Sequence, residues 1–316
     1  MRIYLFLFVL IYCAVVQAKP LIAFERYGFI WTANIDGTNA KKITQGYIPE
    51  ISPDGKYIAF NLVEKSPSGN RYLAIIELES GKITQLKNIP SENNFNPVWS
   101  PDSKKLLFNT FINSNWHLAL IDRNDSGYRL INNTENEYSP AWAADGKSFF
   151  SHDLDSIYWL DLQGNVIKKW QINSIIPRGS MSSASRMNSS PNGKMLIMDV
   201  DMDETIHRKN WDEPPLALWV LHLDSGKTNR ITPKGMLAWS PFWIDSDTYV
   251  FLGQEINEKT PSLHRGSLKN PSEGLLLHNV QTPSVSRQAA LEQQEKSGLT
   301  IEKSGPPLFE DRKTAG

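Results

Sequence analysis

The chain has a single cysteine, Cys13, in 316 residues. It lies in an apolar leader, so the expected mature chain has none. That excludes disulfides, thiolate nucleophiles and zinc–thiolate sites. A chain exported without disulfides must hold itself together by core burial, which this length permits. A surplus of one charge is also lacking. Once Arg2 is set aside, 32 basic residues face 34 acidic ones. The two signs are interspersed, without the basic stripe of a nucleic-acid surface, so no nucleic-acid partner is expected. There is no Gly-x-Ser-x-Gly elbow and no His-x-x-x-His or His-Glu pair at metalloenzyme spacing. The longest apolar run, Ile3 to Val16, is too short and too poorly flanked to span a bilayer. With Arg2 before it and Val16-Gln17-Ala18 after it, the run reads as a signal peptide over residues 1–18. Tyr12, where a lipoprotein signal needs a small residue, sets aside lipid attachment at Cys13. The mature chain is expected to start near Lys19, to keep no integral membrane span, and to be periplasmic or secreted.

What is abundant is repetition. The motif reads Pro49-Glu50-Ile51-Ser52-Pro53-Asp54-Gly55, Pro97-Val98-Trp99-Ser100-Pro101-Asp102-Ser103 and Pro140-Ala141-Trp142-Ala143-Ala144-Asp145-Gly146. It continues more loosely as Met187-Asn188-Ser189-Ser190-Pro191-Asn192-Gly193 and Pro241-Phe242-Trp243-Ile244-Asp245, with a last echo at Pro283-Ser284-Val285-Ser286. Residues 51, 99, 142, 189, 243 and 285 are 42 to 54 apart, a spacing typical of propeller blades.

Each motif is followed by an apolar run such as Tyr57 to Phe60, an alternating segment such as Leu73 to Leu78, and a short strand after a polar turn, such as Gly81 to Leu86. Four such strands make one antiparallel blade. The N-terminus supplies only three: Leu21 to Phe24, Phe29 to Ile35 and Lys41 to Thr44. Pro283 to Ser286 can provide the missing one. The expected fold is therefore all-β, a six-bladed β-propeller over residues 19–287 closed by N- and C-terminal strands, which leaves no open sheet edge. Residues 288–316 are rich in Gln, Glu, Lys and Gly and read as a disordered tail.

The Asp of each motif has a sufficient structural role, accepting backbone N–H bonds in a tight turn while Gly takes positive φ. The Trp positions are expected to wedge between blades. The unit Ile30-Trp31-Thr32-Ala33-Asn34-Ile35-Asp36-Gly37, followed by Ile43-Thr44 and then by Pro49 to Phe60, resembles the repeat of TolB-type propellers. The resemblance covers most of residues 21–286 and is strongest in the first three repeats. It implies a periplasmic propeller that binds protein at the mouth of its ring. It is to the propeller part alone: the separate α/β domain that precedes it in TolB, with its contact to the inner-membrane partner, has no expected counterpart here.

Long connections fall on one predicted face: residues 61–71, 87–96, 171–186 and 199–215. Long loops on a rigid ring are where binding resides. The fourth repeat stands apart, with Ser189 at the bulky position, a Ser-rich insertion before it and the acidic run 199–204 after it. Asp199, Asp201 and Asp203 alternate as calcium ligands can, without the Gly and distal Glu of a calcium loop. The reading this favours is a monomeric, noncatalytic binding scaffold without a cofactor, docking a protein or cell-envelope component. Its candidate contacts are Arg178, Arg186, Asp201, Asp203, Arg208 and Trp211. The alternative is a metal-dependent carbohydrate-active lyase or hydrolase using His152, Asp153, Asp201 and His207.

Overall fold

A computed structural model describes residues 20–63, 69–203, 215–254 and 260–287. The expected signal peptide and C-terminal tail lie outside them. The described residues build six antiparallel sheets in a ring. From the inside outwards, the first blade is Tyr47–Ile51, Tyr57–Val63, Arg71–Glu77 and Ile83–Gln85. The second runs Asn94–Trp99, Lys105–Ile112, Asn115–Asp122 and Arg129–Leu130. The third is Tyr138–Trp142, Ser148–His152, Ser156–Asp161 and Val166–Gln171. In the fourth the inner strand is split into Gly179–Ser180 and Met187–Ser189, both paired with Met195–Met202; Leu216–His222 and Thr228–Arg230 follow. The fifth is Leu237–Trp243, Thr248–Gln254, Ser262–Ser267 and Gly274–His278. No helix among the described residues is long and apolar enough to cross a membrane.

The sixth blade closes the ring as the sequence predicted. Gln281–Val285 pairs antiparallel with Leu21–Arg26, and Phe29–Asn34 and Lys41–Gln45 complete the sheet. The seam extends past the strand: Ser286 N donates to Leu21 O at 2.9 Å and Arg287 N to Pro53 O at 2.9 Å. Ser284 also reaches the first blade. Its hydroxyl accepts Ile51 N at 2.9 Å and donates to Pro49 O at 3.1 Å.

Both faces of a blade are covered by neighbours, so its middle strands are buried almost continuously rather than alternately, as in Met195–Met202. The core is divided accordingly into six apolar clusters, one at each interface between adjacent blades. Trp99 lies between the first and second blades, Trp142 between the second and third, and Trp243 between the fourth and fifth. Each indole N–H donates back to a carbonyl of the preceding inner strand: Trp99 to Glu50 at 2.8 Å, Trp142 to Val98 at 3.1 Å, Trp243 to Asn188 at 3.1 Å. At the third–fourth interface Ser189 is small, and Met181, Met187, Met198 and Met202 fill the space with Trp170. Methionine suits an irregular gap of this kind.

The repeated turns form as their residues require. The carboxylates of Asp54, Asp102, Asp145 and Asp245 and the side-chain carbonyl of Asn192 each accept the amide two residues on, at 2.8–3.1 Å. Gly55, Gly146 and Gly193 follow at φ 71°, 65° and 68°, where a Cβ would be strained. Trp99→Ala should lower the unfolding free energy by about 3–5 kcal/mol in chemical denaturation, because it empties one interface and orphans the Glu50 carbonyl. An unchanged midpoint would remove the wedge role.

Candidate binding channel

The inner strands surround a central channel, and their sequence determines what lines it. In five blades the residue before the inner-strand proline takes positive φ: Ile48 52°, Asn96 55°, Ser139 49°, Ser240 50° and Thr282 44°. The strand registers slip at the same points. For β-branched Ile48 and Thr282 this conformation is strained by about 1–3 kcal/mol each. Side chains of the preceding blade's second strand offset that strain. Ile48 N donates to Glu25 Oε2 at 3.4 Å, Asn96 N to Asn61 Oδ1 at 3.4 Å, and Ser240 N to Asp199 Oδ2 at 2.7 Å. Asn109 Nδ2 donates to Glu137 O at 2.9 Å in the corresponding place. The channel is thus held by buried polar links that run from blade to blade.

The fourth blade breaks this pattern, and that break creates the charged site. It has Met187 where the others have proline, and Arg186 occupies the position of Ile48, Asn96 and Ser139 on the channel wall. Asp199 fixes its backbone, accepting Arg186 N at 2.9 Å on Oδ1 while Asp199 N donates to Arg186 O at 3.1 Å. One level deeper, the residue between proline and the Trp position points into the channel, since strand side chains alternate. These are Glu50, Val98, Ala141, Asn188 and Phe242. At the far mouth stand Pro53, Pro101, Ala144 and Pro191, with Arg287 from the closing seam.

Glu50, Arg186 and Arg287 are half-buried and reach solvent through the channel. Burial raises the Glu50 carboxyl to about 8, against the opposing pull of Arg287 and Arg186. Burial likewise lowers the Arg287 guanidinium to about 10 and lowers that of Arg186, and both stay charged at neutral pH. Asp199 rises to about 7 because it is buried, despite the amides it accepts. The Arg287 guanidinium donates to Asn188 Oδ1 and stacks over Phe242 at 4.8 Å. Its Nε is buried without a hydrogen-bond partner.

The residues singled out from sequence separate into two places. Arg186 lines the channel. Arg178 and Asp203 meet on the surface of the fourth blade, Nη2 to Oδ2 at 2.8 Å and Nε to Oδ2 at 3.0 Å. Asp201 is on Met195–Met202, the strand that ends just before Asp203, opposite Leu216 and Ser180. Arg208, Trp211 and His207 lie outside the described residues. The acidic run is corrected in one respect: residues 199–202 continue a strand instead of opening a loop, because Val200 and Met202 pack into the third–fourth interface.

His152 is fully buried on Ser148–His152, and desolvation lowers its pKa to about 4, so it is neutral. Its ring faces the Ser185 backbone of the next blade, without a well-formed bond to Nε2. That is the position Asn61 and Asn109 hold in their blades. Asp153 is engaged in its turn, accepting Ser156 N at 2.7 Å and the Tyr158 hydroxyl at 2.7 Å. Among the described residues no three His, Cys, Asp or Glu side chains are grouped to hold a metal ion. Glu50, Asn188 and Arg287 were missed from sequence, although the alternation within Pro-x-Trp points to the first two.

The family model described as the TolB beta propeller domain matches residues 14–213. The structure of TolB from Acinetobacter baumannii superposes with a TM-score of 0.65 at 19% identity, over 85% of this chain and 67% of that one. A TolB structure from Agrobacterium tumefaciens gives 0.61 at 16% identity, over 84% and 91%. An oligogalacturonate lyase in complex with manganese gives 0.51 at 13%, over 79% and 70%. At these identities the likeness is one of fold. No curated protein sequence matches the chain.

Three buried or half-buried carboxyls set a pH dependence. Burial raises the folded pKa values of Glu50, Asp199 and Glu137 above their ordinary values of 4.5, 3.8 and 4.5. The stability each gives is present below the unfolded value and is lost as pH rises through the folded value. His152 acts in the opposite sense, losing stability as pH falls below its ordinary value of 6.5. The Tm should therefore decline from about pH 4.5 to about pH 8, the span between the ordinary and folded values of the Glu50 carboxyl, and Glu50→Gln should make the decline shallower. Identical slopes in thermal melts would show that Glu50 ionises freely.

Proposed function

Because the chain belongs to the TolB β-propeller family, we propose that it is a noncatalytic binding scaffold of the cell envelope. It is exported to the periplasm or secreted, acts as a monomer, and docks a protein or another envelope component beside its fourth blade. The observation that carries this reading is the irregularity of that blade. Among the described residues it alone has a split inner strand, with an insertion delivering Arg186 to the channel. A rigid scaffold with one elaborated sector is the usual arrangement for recognition.

The proposed surface comprises Arg178, Asp201 and Asp203, with Arg186 at the adjoining mouth; Arg208 and Trp211, outside the described residues, are included from the sequence. Arg and Trp are favoured anchors because they bring large contact area with polar tips. Arg178 and Asp203 hold each other in place at 70% and 77% side-chain exposure. A pair so exposed contributes at most about 1 kcal/mol to stability, so substituting it tests binding rather than folding.

Wild type, Arg178→Glu and Trp211→Ala are the baits for recovery of partners from an envelope extract. Several-fold lower recovery with either variant is expected, and equal recovery with all three would remove the surface. Elemental analysis of protein purified without chelator should show no stoichiometric metal. A transition metal that is bound by wild type and lost in His207→Ala would replace the scaffold by a metal-dependent lyase or hydrolase.

A further inference from the structure

We propose that the interior of the channel is a binding site for a monocarboxylate on an apolar stem, with Arg186 and Arg287 receiving the carboxylate. The site stands on the channel's own geometry and does not depend on docking at the fourth-blade surface.

The charge inventory comes first. Two guanidiniums enter a narrow space with one carboxyl, Glu50, and neither meets a carboxylate within 4.0 Å among the described residues. Asp199 offsets them only in part: it attracts Arg186 electrostatically, but burial raises it to about 7 and its two oxygens accept the amides of Arg186 and Ser240 instead of a guanidinium. The site therefore carries excess positive charge, and Glu50, largely protonated at neutral pH, can donate a hydrogen bond to an incoming anion. A guanidinium that is half-buried and bonded to no carboxylate has donors to spare, and a carboxylate matches its planar fork.

Preorganisation is the second argument. Arg287 is held from two sides, by Asn188 Oδ1 and by the Phe242 ring, with Nε left as a buried donor. Arg186 is held by its backbone, which leaves its guanidinium free of any hydrogen bond among the described residues. The walls supply the third. The open-ended cavity is about 90 Å³, several times the ~10–15 Å³ that one water needs. Val98, Trp99, Trp142 and Phe242 line it, and both guanidiniums act on the one carboxyl, Glu50. Apolar walls reward an apolar stem, which inorganic phosphate lacks.

The carboxylate can be carried by a small molecule or by a polypeptide C-terminus, and the test separates these sources. Trp99 and Trp142 line the cavity, so their fluorescence reports occupancy directly. Hexanoate and the tripeptide N-acetyl-Ala-Leu-Leu with a free terminus are titrated against hexanamide, the amidated tripeptide and inorganic phosphate. A saturable change with at least one acid, at least tenfold weaker with its amide and with phosphate, supports the site. Arg186→Met should weaken that response at least tenfold. Arg287→Lys keeps charge but not the fork and should weaken it less than Arg186→Met does. Tighter binding of the tripeptide acid identifies a chain terminus as the source; tighter binding of hexanoate identifies a small carboxylate. The proposal is overturned if neither acid binds, if amide or phosphate binds as well as acid, or if Arg186→Met binds like wild type. Partner recovery through Arg178 and Trp211 would be unaffected by any of these failures.

Discussion

Pairing between Leu21–Arg26 and Gln281–Val285 is the constraint on which the other blades depend. An open array of blades would expose the first and sixth interfaces, and with them the sheet edges that invite association. Closure joins residues some 260 positions apart. Its entropic penalty grows only logarithmically with that separation, and the buried clusters on either side of the seam offset it. Ser284 and Arg287 bond to the first blade as well as extending the sixth, so the seam is a three-way junction rather than a single added strand.

The same seam couples stability to the channel. Five inner strands carry a positive-φ residue, and buried polar side chains link four of the neighbouring pairs, so the walls are set by the ring as a whole. The fourth blade gives up proline and the positive-φ residue, and gains Arg186 in exchange. Arg287, delivered by closure, faces the same space. The two cations of the channel thus come from the two irregular places in the ring, the split blade and the seam.

Much of this was legible in the residues. The recurrence of Pro-x-Trp and Asp-Gly gave blade number and register, because those turns need particular side chains at particular spacings. The strands missing from the first repeat pointed to Pro283–Ser286 as the seam. The channel was harder to see. Glu50 and Asn188 are ordinary polar residues unless the inner strand's alternation is followed around the ring, and Arg287 sits where the repeat pattern stops. His152 drew attention as a histidine beside Asp153, yet burial leaves it neutral and facing a neighbouring backbone. Asp199 looked like loop acid because strand length cannot be read from charge; Val200 and Met202, packing inward, extend the strand past it. The surface of the fourth blade remains a proposal from composition and position.

Comparison of a chain ending at Asn279 with one ending at Arg287 tests closure most directly, by thermal melting and limited proteolysis. The chain keeping the seam should unfold cooperatively, and the shorter one should melt more than about 10 °C lower and be cleaved within Leu21–Arg26. Equal melting temperatures and equal protease resistance would contradict the closed ring and the channel that depends on it.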